Sequence, residues 1–244
     1  MLIETTACAS RWRGVAPSAK ALFALSGAAA AWLARSPDTL AVLAAVPVLA
    51  ALLGARVPPR AWLGAALAPL GFLLLACMTL LFGPDPHGTW HWNGALLPAV
   101  QRTALRSLAV LAALLGFALT TPLPDLLALL RRLRTPELLL DLMALCYRML
   151  FVLRQAWDEG VEAQRARLGH RGWRQRWRST GMLAGHMAQQ VWQRAAALQM
   201  AADARSYAGT LRFLPAAFPH ARRQNALAAL AGALLLALAA GDRW

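Results

Sequence analysis

Lysine is almost absent from this chain: Lys20 is the only one among 244 residues, although Lys and Arg together number 25. The common phosphate-binding loop ends in Gly-Lys-Ser/Thr, because its lysine must reach the phosphates of the nucleotide. Lys20 stands between two alanines, so the chain contains no such loop. The sequence therefore excludes ATP binding and hydrolysis by that route, and any ATP-driven work must be supplied by another protein.

Acidic residues and cysteines are also few, at 11 and three. The apolar segments are almost devoid of carboxylates, whereas a self-contained permease or secondary transporter needs polar or acidic residues along its ion path. The cysteines are widely separated and odd in number: Cys8, Cys77 and Cys146. They support neither a CxxC metal site nor a disulfide framework.

What the sequence has in excess is apolar surface. Hydrophobic residues make up 59% of the chain, charged residues only 15%, and the mean hydropathy is positive at +0.46. One soluble core would not bury this much, so the excess requires lipid. Several windows approach the roughly 20 apolar residues that a membrane-crossing helix needs. The predicted spans are residues 18–34, 39–55, 61–82, 98–120 and 225–241.

The distribution of basic residues predicts the orientation, since short cytoplasmic loops collect Lys and Arg. Basic residues precede the first span and separate the second from the third, at Arg11, Arg13, Lys20, Arg56 and Arg60. The segment 83–101, between the third and fourth spans, contains no Lys or Arg. We therefore expect the N-terminus in the cytoplasm and this segment outside. Five spans then put the C-terminus outside, and six would put it inside.

The formal net charge of +14 raises the question of nucleic-acid binding. Most of the basic residues are already explained by membrane orientation and by contact with anionic lipid headgroups. No zinc-finger spacing, RNA-binding aromatic signature or basic zipper is present. We expect membrane lipid as a partner and no nucleic acid.

Between the fourth and fifth spans lie two long, arginine-rich stretches with helical patterning, residues 136–168 and 174–208. The first changes from apolar to water-soluble along its length, which indicates a helix that leaves an apolar layer and enters water. Each stretch ends in a cluster of small residues around an arginine. The predicted organisation has three segments: an N-terminal membrane bundle of about four spans (1–121), a cytoplasmic or interfacial helical block (122–224) and a C-terminal transmembrane helix (225–244).

Capping residues predict where the helices of this block begin. Asp125, after two prolines, is expected to cap a short helix that runs to Arg134, and Thr135 to cap the long helix that starts at Pro136. Farther along, indole and guanidinium groups alternate over residues 173–178. Because Trp and Arg both settle at the headgroup boundary, this stretch is interpreted as an interfacial anchor.

These features resemble one family, the transmembrane T component of energy-coupling factor transporters, in the branch associated with cobalt and nickel uptake. The resemblance covers most of the chain, and it is densest in Leu133-Arg134-Thr135-Pro136, Tyr147-Arg148 and residues 163–169. Ahead of the first span the family often has an Asp-Pro-Arg-x-Lys-like motif, of which this chain keeps only Pro17 and Lys20.

The family signature is a pair of short Ala-Arg-Gly-like motifs at the ends of two cytoplasmic coupling helices. The first is matched by Ala166-Arg167-Leu168-Gly169, which has an inserted leucine as in the metal-uptake branch. The second is matched by Ala204-Arg205-Ser206, in which serine replaces the usual glycine. The arginine and the small neighbouring residues are kept at both ends.

The resemblance implies an assembly with two cytoplasmic ATP-binding-cassette subunits and a separate substrate-binding membrane subunit. ATP and Mg are expected in the ATPase subunits, and no cofactor is expected on this chain. Each arginine, Arg167 and Arg205, is expected to enter a groove on one ATPase and to bond a carboxylate there. Arg171 is close enough to Arg167 to compete and ranks second. The alternative for each arginine is that it only complements the C-terminal end of the helix dipole.

Two other groups of residues are weaker candidates. Arg102 and Arg106 lie four residues apart on one face of the fourth span. They could meet a carboxylate of the substrate-binding subunit, or Arg102 could reach the outer boundary while Arg106 pairs inside the bundle. In the outside loop, Asp85, His87 and His91 could briefly hold a transition metal. Loop histidines without a cysteine partner are usually not a metal site, so the resemblance assigns selectivity to the partner subunit.

We expect an all-α, polytopic protein of the cell inner membrane with about five transmembrane helices, two long cytoplasmic coupling helices and a cytoplasmic N-terminus. Its expected role is non-catalytic: it scaffolds an importer for cobalt or nickel and transmits ATPase motion to the substrate-binding subunit. A vitamin substrate is less favoured. The alternatives are a self-contained permease and a membrane-anchored regulatory adaptor.

Overall fold

The described part of the chain is all-α, as predicted, apart from a short hairpin. The computed structural model describes residues 2–84, 90–92, 94–167, 172–206 and 218–242. The helices are α1 (Leu2–Ala9), α2 (Pro17–Leu33), α3 (Pro37–Leu49), α4 (Pro59–Leu81), α5 (Leu97–Thr120), α6 (Leu123–Arg132), α7 (Glu137–Ala166), α8 (Trp173–Asp203) and α9 (Ala221–Gly241). A π-helical turn, Ala50–Gly54, continues α3, and 3-10 turns cover Arg11–Gly14 and Gly94–Leu96. Strands β1 (Phe82–Pro84) and β2 (Trp90–Trp92) pair antiparallel, with Gly83 opposite His91.

The chain divides into two compact units, Met1–Leu129 with Pro215–Trp244, and Leu130–Leu214. The first unit contains α1 to α5, most of α6, and α9, and we call it the membrane bundle. The second contains α7 and α8, and we call it the helical-pair unit. The C-terminal helix α9 belongs to the bundle because it packs along α2. The predicted division into three segments, 1–121, 122–224 and 225–244, stays a prediction.

Four helical segments of the described chain are long and apolar enough to cross a bilayer. They are Pro37–Gly54, Pro59–Leu81, Leu97–Thr120 and Ala221–Gly241, and they correspond to four of the predicted spans. The helix α4 presents Leu67, Phe72 and Leu75 on its surface, each at least 60% exposed. Only lipid or another membrane protein would cover such a surface, so the chain is a multi-pass membrane protein.

The remaining predicted span is α2, which has 17 residues. It runs parallel to α9. At the start of both helices, Ser18 Oγ donates to Asn225 Oδ1 at 2.8 Å. At their other ends, the backbone N–H groups of Arg35 and Ser36 donate to Asp242 Oδ2 at 2.7 and 2.6 Å. Because both ends coincide, α2 covers the same depth as α9.

The carboxylate of Asp242 ties the end of α9 to the start of α3. Besides the two backbone groups, Thr39 Oγ1 donates to the same oxygen at 3.0 Å. Hydrogen bonds from Ser36, and then from Arg35, hold the pKa of Asp242 well below the usual range of a carboxyl group. The charged form is therefore favoured, and it also complements the positive N-terminal end of α3.

Small residues let the bundle helices approach closely. A Cβ on Gly27 of α2 would lie 3.6 Å from Ala113 Cβ of α5 and 4.0 Å from Leu235 Cδ1 of α9, so three helices meet there. A Cβ on Gly232 of α9 would overlap Ser26 of α2. Interfaces of Gly, Ala and Ser are typical of packed membrane helices, because they bring the backbones into van der Waals contact.

Both predicted caps around α6 and α7 are wrong. The helix α6 begins at Leu123, so Asp125 lies in its first turn rather than at its cap. The cap of α7 is Pro136. Thr135 instead donates from Oγ1 to Leu130 O at 2.9 Å, because the chain reverses at Arg134, whose φ is 60°.

Candidate functional site

The helix α7 carries the first predicted docking motif at its end. Its 30 residues make it about 45 Å long at 1.5 Å per residue. Its later half is held by pairs four residues apart: Arg154 Nε bonds Asp158 Oδ2 at 3.0 Å, and Gln155 Nε2 donates to Glu159 Oε1 at 2.9 Å. Such exposed pairs stabilise a water-facing helix surface by a few tenths of a kcal/mol each. They continue the helix toward Ala166.

The helix α8 begins at Trp173, so the alternating indole and guanidinium stretch is its first two turns. The rings of Trp173 and Trp177 meet edge to face at 5.6 Å, and both are more than 60% exposed. The proposed interfacial role of this stretch stays a prediction. Its helical form places the two aromatic rings side by side on one surface.

The helices α7 and α8 touch at Gly160 and Leu183. A Cβ on Gly160 would overlap Leu183 Cδ1, so the absence of a side chain at this position allows the contact. Leu183 is buried, whereas most of α8 is exposed. The two helices therefore share a localised contact rather than a long seam.

The end of α7 exposes the first arginine. The N–H of Arg167 donates to Ala163 O at 3.2 Å, and its backbone leaves the helix at φ −88° and ψ 14°. Ala166 and Arg167 are both exposed. The other predicted members of this motif, Gly169 and Arg171, lie outside the described residues.

The end of α8 exposes the second arginine in a similar way. The N–H groups of Ala204, Arg205 and Ser206 donate to carbonyls three or four residues earlier, at 3.0 to 3.1 Å. All three residues are exposed. Ser206 has φ 51°, the left-handed conformation that glycine adopts without strain. The serine thus occupies the glycine position of a helix C-terminal stop, which sequence reasoning treated only as a small-residue requirement.

The two arginines are well separated. The helix α8 is about 46 Å long, and the chain from Arg167 to Trp173 spans at most about 21 Å when fully extended. Arg167 and Arg205 must therefore lie more than about 20 Å apart. Within the described residues neither guanidinium has an ion-pair partner. Together they offer two independent cationic contacts.

The structure separates the two arginines of α5. Arg106 turns inward: its Nε donates to Ala31 O at 3.1 Å and its Nη2 to Ala34 O at 3.0 Å, at the C-terminal end of α2. Its guanidinium also lies 5.7 Å from the ring of Trp32. Arg102 is exposed. Arg106 therefore satisfies helix-end carbonyls, and only Arg102 is free to reach outward.

Most of the predicted loop metal site lies outside the described residues. Asp85 and His87 lie outside the described residues, as does the side chain of His91, whose backbone belongs to β2. Within the part of the chain that the structure describes, no three His, Cys, Asp or Glu residues are grouped to hold a metal ion.

Sequence reasoning missed a polar junction at one end of the membrane bundle. Lys20 is 5% exposed, and its Nζ donates to Thr120 O, at the end of α5, at 2.6 Å. Asp125 of α6 is also buried. Burial raises the pKa of Asp125, while the nearby charges of Lys20 and Arg13 oppose that rise. The sequence signal that could have indicated this junction was the single lysine, Lys20, which this chain shares with the family motif.

Comparison with known proteins adds the family context. A family model described as "CbiQ: Cobalt transport protein" matches residues 9–215. A cobalt transport protein CbiQ from Rhodobacter capsulatus is 39% identical over 156 residues, covering 62% of this chain and 62% of that protein. A CbiQ from Salmonella typhimurium is 31% identical over 154 residues, covering 57% and 67%. A putative fused cobalt transport protein CbiMQ from Methanocorpusculum labreanum is 32% identical over 123 residues, covering 50% and 20%. The chain thus spans less than two thirds of the length of the Rhodobacter relative.

Proposed function

The chain belongs to the CbiQ cobalt transport protein family, and we propose that it is the non-catalytic scaffold and coupling subunit of an ATP-driven importer. In this proposal α7 and α8 are the coupling helices. Their arginine-bearing ends, residues 166–167 and 204–206, dock on cytoplasmic ATPase subunits. The membrane bundle holds a separate substrate-binding membrane subunit.

The observation that carries the proposal is the pair of exposed guanidinium groups at two helix ends, which have no ion-pair partner among the described residues. A guanidinium presents a planar fork of N–H donors, which matches a carboxylate through two parallel bonds. The small neighbours Ala166 and Ala204 leave the approach to each arginine open. A role limited to the helix dipole would be worth only about 0.3–1 kcal/mol at each end.

The separation of the arginines favours two ATPase subunits rather than one. A gap of more than about 20 Å is too wide for a single groove that holds one helix end, since a helix is about 10 Å across. Two copies of an ATPase, each with one groove, would satisfy both ends. The contact between Gly160 and Leu183 then links the two helices, so a displacement of one helix end is passed to the other.

The partners supply what this chain lacks. ATP and Mg belong to the ATPase subunits, because this chain has no phosphate-binding loop. The relative from Methanocorpusculum labreanum is described as a putative fused cobalt transport protein, CbiMQ, and a fusion of this kind supports a membrane partner for this chain. We assign metal selectivity to that partner and propose cobalt, or else nickel, as the cargo. The proposed location is the inner membrane, with the N-terminus in the cytoplasm.

The test is recovery of cassette ATPase from native membranes by tagged protein. We expect the wild type to recover ATPase and the Arg167→Glu/Arg205→Glu double variant to lose it, because each glutamate faces a carboxylate across the docking contact. Loss of one charge-assisted contact lowers affinity by about 2 kcal/mol or more, or about 30-fold. Each single variant should therefore recover less ATPase than the wild type.

The matched control is Arg148→Glu/Arg178→Glu, which makes the same charge change at exposed positions on the same two helices. Expression and membrane insertion are measured for every variant. If the control loses ATPase as fully as the double variant, recovery depends on net charge and the docking assignment fails. No ATPase with the wild type would favour the permease or the adaptor.

A further inference from the structure

A cavity of about 490 Å³ lies within the membrane bundle, between α2, the π-helical turn after α3, α5 and α9. Its lining begins at Lys20, Thr120 and Gln224, at one end of the bundle, and reaches Ala113 and Ala231, about 10 Å farther along these helices. This end also carries the 3-10 turn, whose Arg11 N–H donates to Ala55 O at 3.1 Å. The cavity therefore occupies the basic, predicted cytoplasmic half of the bundle.

The chemistry of the lining selects a hydrocarbon occupant. Nearly all lining residues are alanine or larger apolar residues. The polar ones are already bonded within the protein: Lys20 Nζ to Thr120 O at 2.6 Å, and Gln224 Oε1 to Ala16 N at 2.7 Å. Water needs two to four polar partners in a buried site, and away from the end that carries Lys20, Thr120 and Gln224 the lining is apolar. The volume lies within the range of about 300–1,000 Å³ that is usual for small-molecule sites.

The cavity is accessible from the side of the bundle. Leu227 and Ala231 of α9 line it, and both are also exposed on the bundle surface. On the opposite wall, Pro47 lies inside α3, and the π-helical turn Ala50–Gly54 follows the helix. Such π-helical turns are frequent at functional sites. A flexible chain in the bilayer can therefore enter between α9 and its neighbours.

Arginines neighbour, in the sequence, two lining residues at the polar end of the cavity, which we call the arginine rim. Trp12 lines the cavity between Arg11 and Arg13, and Gln224 lines it directly after Arg222 and Arg223. All four arginines are exposed. An arginine near a membrane surface attracts anionic headgroups, so this end of the bundle favours an anionic lipid.

We propose that this cavity binds one acyl chain of an anionic phospholipid from the same leaflet, with its phosphate at the arginine rim. A single acyl chain is much thinner than a transmembrane helix of a partner, which is about 10 Å across. The lipid acts as an exchangeable part of the bundle wall beside α9. This site is independent of the proposed ATPase docking, because none of its residues belongs to α7 or α8.

The test uses the full-length protein in nanodiscs that contain phosphatidylglycerol with a photoactivatable group on one acyl chain. Cross-links are expected on Ala51 and Ala113, which line the cavity but are at most 3% exposed, as well as on the outer surface. Native mass spectrometry of the detergent-purified protein should retain about one lipid per chain. Phosphatidylglycerol should be preferred over phosphatidylcholine of the same chain length.

Ala228→Phe fills the cavity from α9, and Ala229→Phe is its matched control because Ala229 is exposed and does not line the cavity. We expect the filled variant to lose the retained lipid and the buried cross-links, and the control to keep both. Arg13→Gln and Arg223→Gln should each reduce the preference for phosphatidylglycerol about fivefold, whereas Arg60→Gln should not.

Thermal unfolding separates a filled cavity from a damaged fold, because a well-placed phenylalanine leaves the unfolding temperature unchanged or raises it. Equal lipid retention by the wild type and a stable Ala228→Phe variant would overturn the proposal. So would cross-links confined to the outer surface, or equal retention of both lipids. Recovery of a partner protein cross-linked at Ala51 would show that a polypeptide, not a lipid, occupies the cavity.

Discussion

Ser206 illustrates how much a single backbone angle decides at a helix end. Among the described residues, the non-glycine residues with positive φ are Arg56, Arg134 and Ser206. Each follows a helical segment: Ala50–Gly54, α6 and α8. A left-handed conformation costs a residue with a Cβ roughly 1–2 kcal/mol, and glycine does not pay this cost. The left-handed conformation of Ser206 turns the chain directly after Arg205, so Arg205 stays at an exposed helix end.

We predict that Ser206→Gly stabilises the end of α8. Relief of roughly 1–2 kcal/mol of strain exceeds the 0.5–1 kcal/mol that glycine loses through unfolded-state entropy, so the net gain is about 0.5–1 kcal/mol. Hydrogen exchange should show slower exchange of the last amide groups of α8. ATPase recovery should stay at the wild-type level.

The control for this prediction is Ala204→Gly, because Ala204 has a right-handed helical φ of −61°. Glycine there removes no strain and loosens the helix, so exchange should become faster. If both glycine variants shift exchange in the same direction, the positive φ of Ser206 does not determine the stability of this helix end.

At the scale of helices, the contact between α7 and α8 depends on one glycine, Gly160. Gly160 lies in a charged stretch, and nothing in the sequence around it distinguishes a contact point from a solvated surface. The structure places it against buried Leu183. A glycine in a helix interior is less favourable than alanine by about 1 kcal/mol, so its presence is explained by the close approach of the second helix.

We predict that Gly160→Leu forces α7 and α8 apart. Overpacking of this kind typically costs about 1–3 kcal/mol. The helical-pair unit should unfold faster. Limited proteolysis should show this as faster cleavage between residues 130 and 214. ATPase recovery should fall because the two arginine-bearing ends lose their fixed spacing.

Two further variants check the cause. Leu183→Ala in the Gly160→Leu background should restore much of the proteolytic resistance, since it removes the side chain that the new leucine overlaps. Gly185→Ala should be neutral or slightly stabilising, because no atom lies within 4 Å of a Cβ at that position. A failure of the double variant to recover would place the damage outside this contact.

For the whole molecule, the parallel arrangement of α2 and α9 decides the topology. Their starts share the Ser18 to Asn225 hydrogen bond, and their ends share the carboxylate of Asp242. Parallel helices cross a membrane in the same direction. The chain between them must therefore cross the membrane an odd number of times. The three spans α3, α4 and α5 satisfy this requirement, provided that α7 and α8 do not cross.

We predict that Ser36→Cys is labelled by a membrane-impermeant thiol reagent from outside, and that Arg222→Cys is labelled only after permeabilisation. Both variants are made in a chain whose three cysteines are replaced by alanine. Five spans with a cytoplasmic N-terminus require this result. Labelling of both positions from the same side would contradict the parallel arrangement, and the reversed pattern would invert the predicted orientation.

The sequence by itself determined the class of protein and most of the element list. Length and hydropathy predicted the spans, with two starts that lie within two residues of Pro37 and Pro59, and two arginine clusters predicted the ends of α7 and α8. These features are local, because helix length, apolar composition and helix-breaking residues act over a few turns. The same local logic failed at Asp125 and Thr135, where proline geometry and a backbone reversal outweighed capping preference.

Only the tertiary structure decided which helices share a surface. It paired α2 with α9, turned Arg106 onto the carbonyls at the end of α2, set Gly160 against Leu183 and left a cavity beside Lys20. These are contacts between residues far apart in the chain, and single-sequence periodicity carries no information about them. The physical reason is that small residues permit close packing at many positions, while the assembled bundle allows it at only a few.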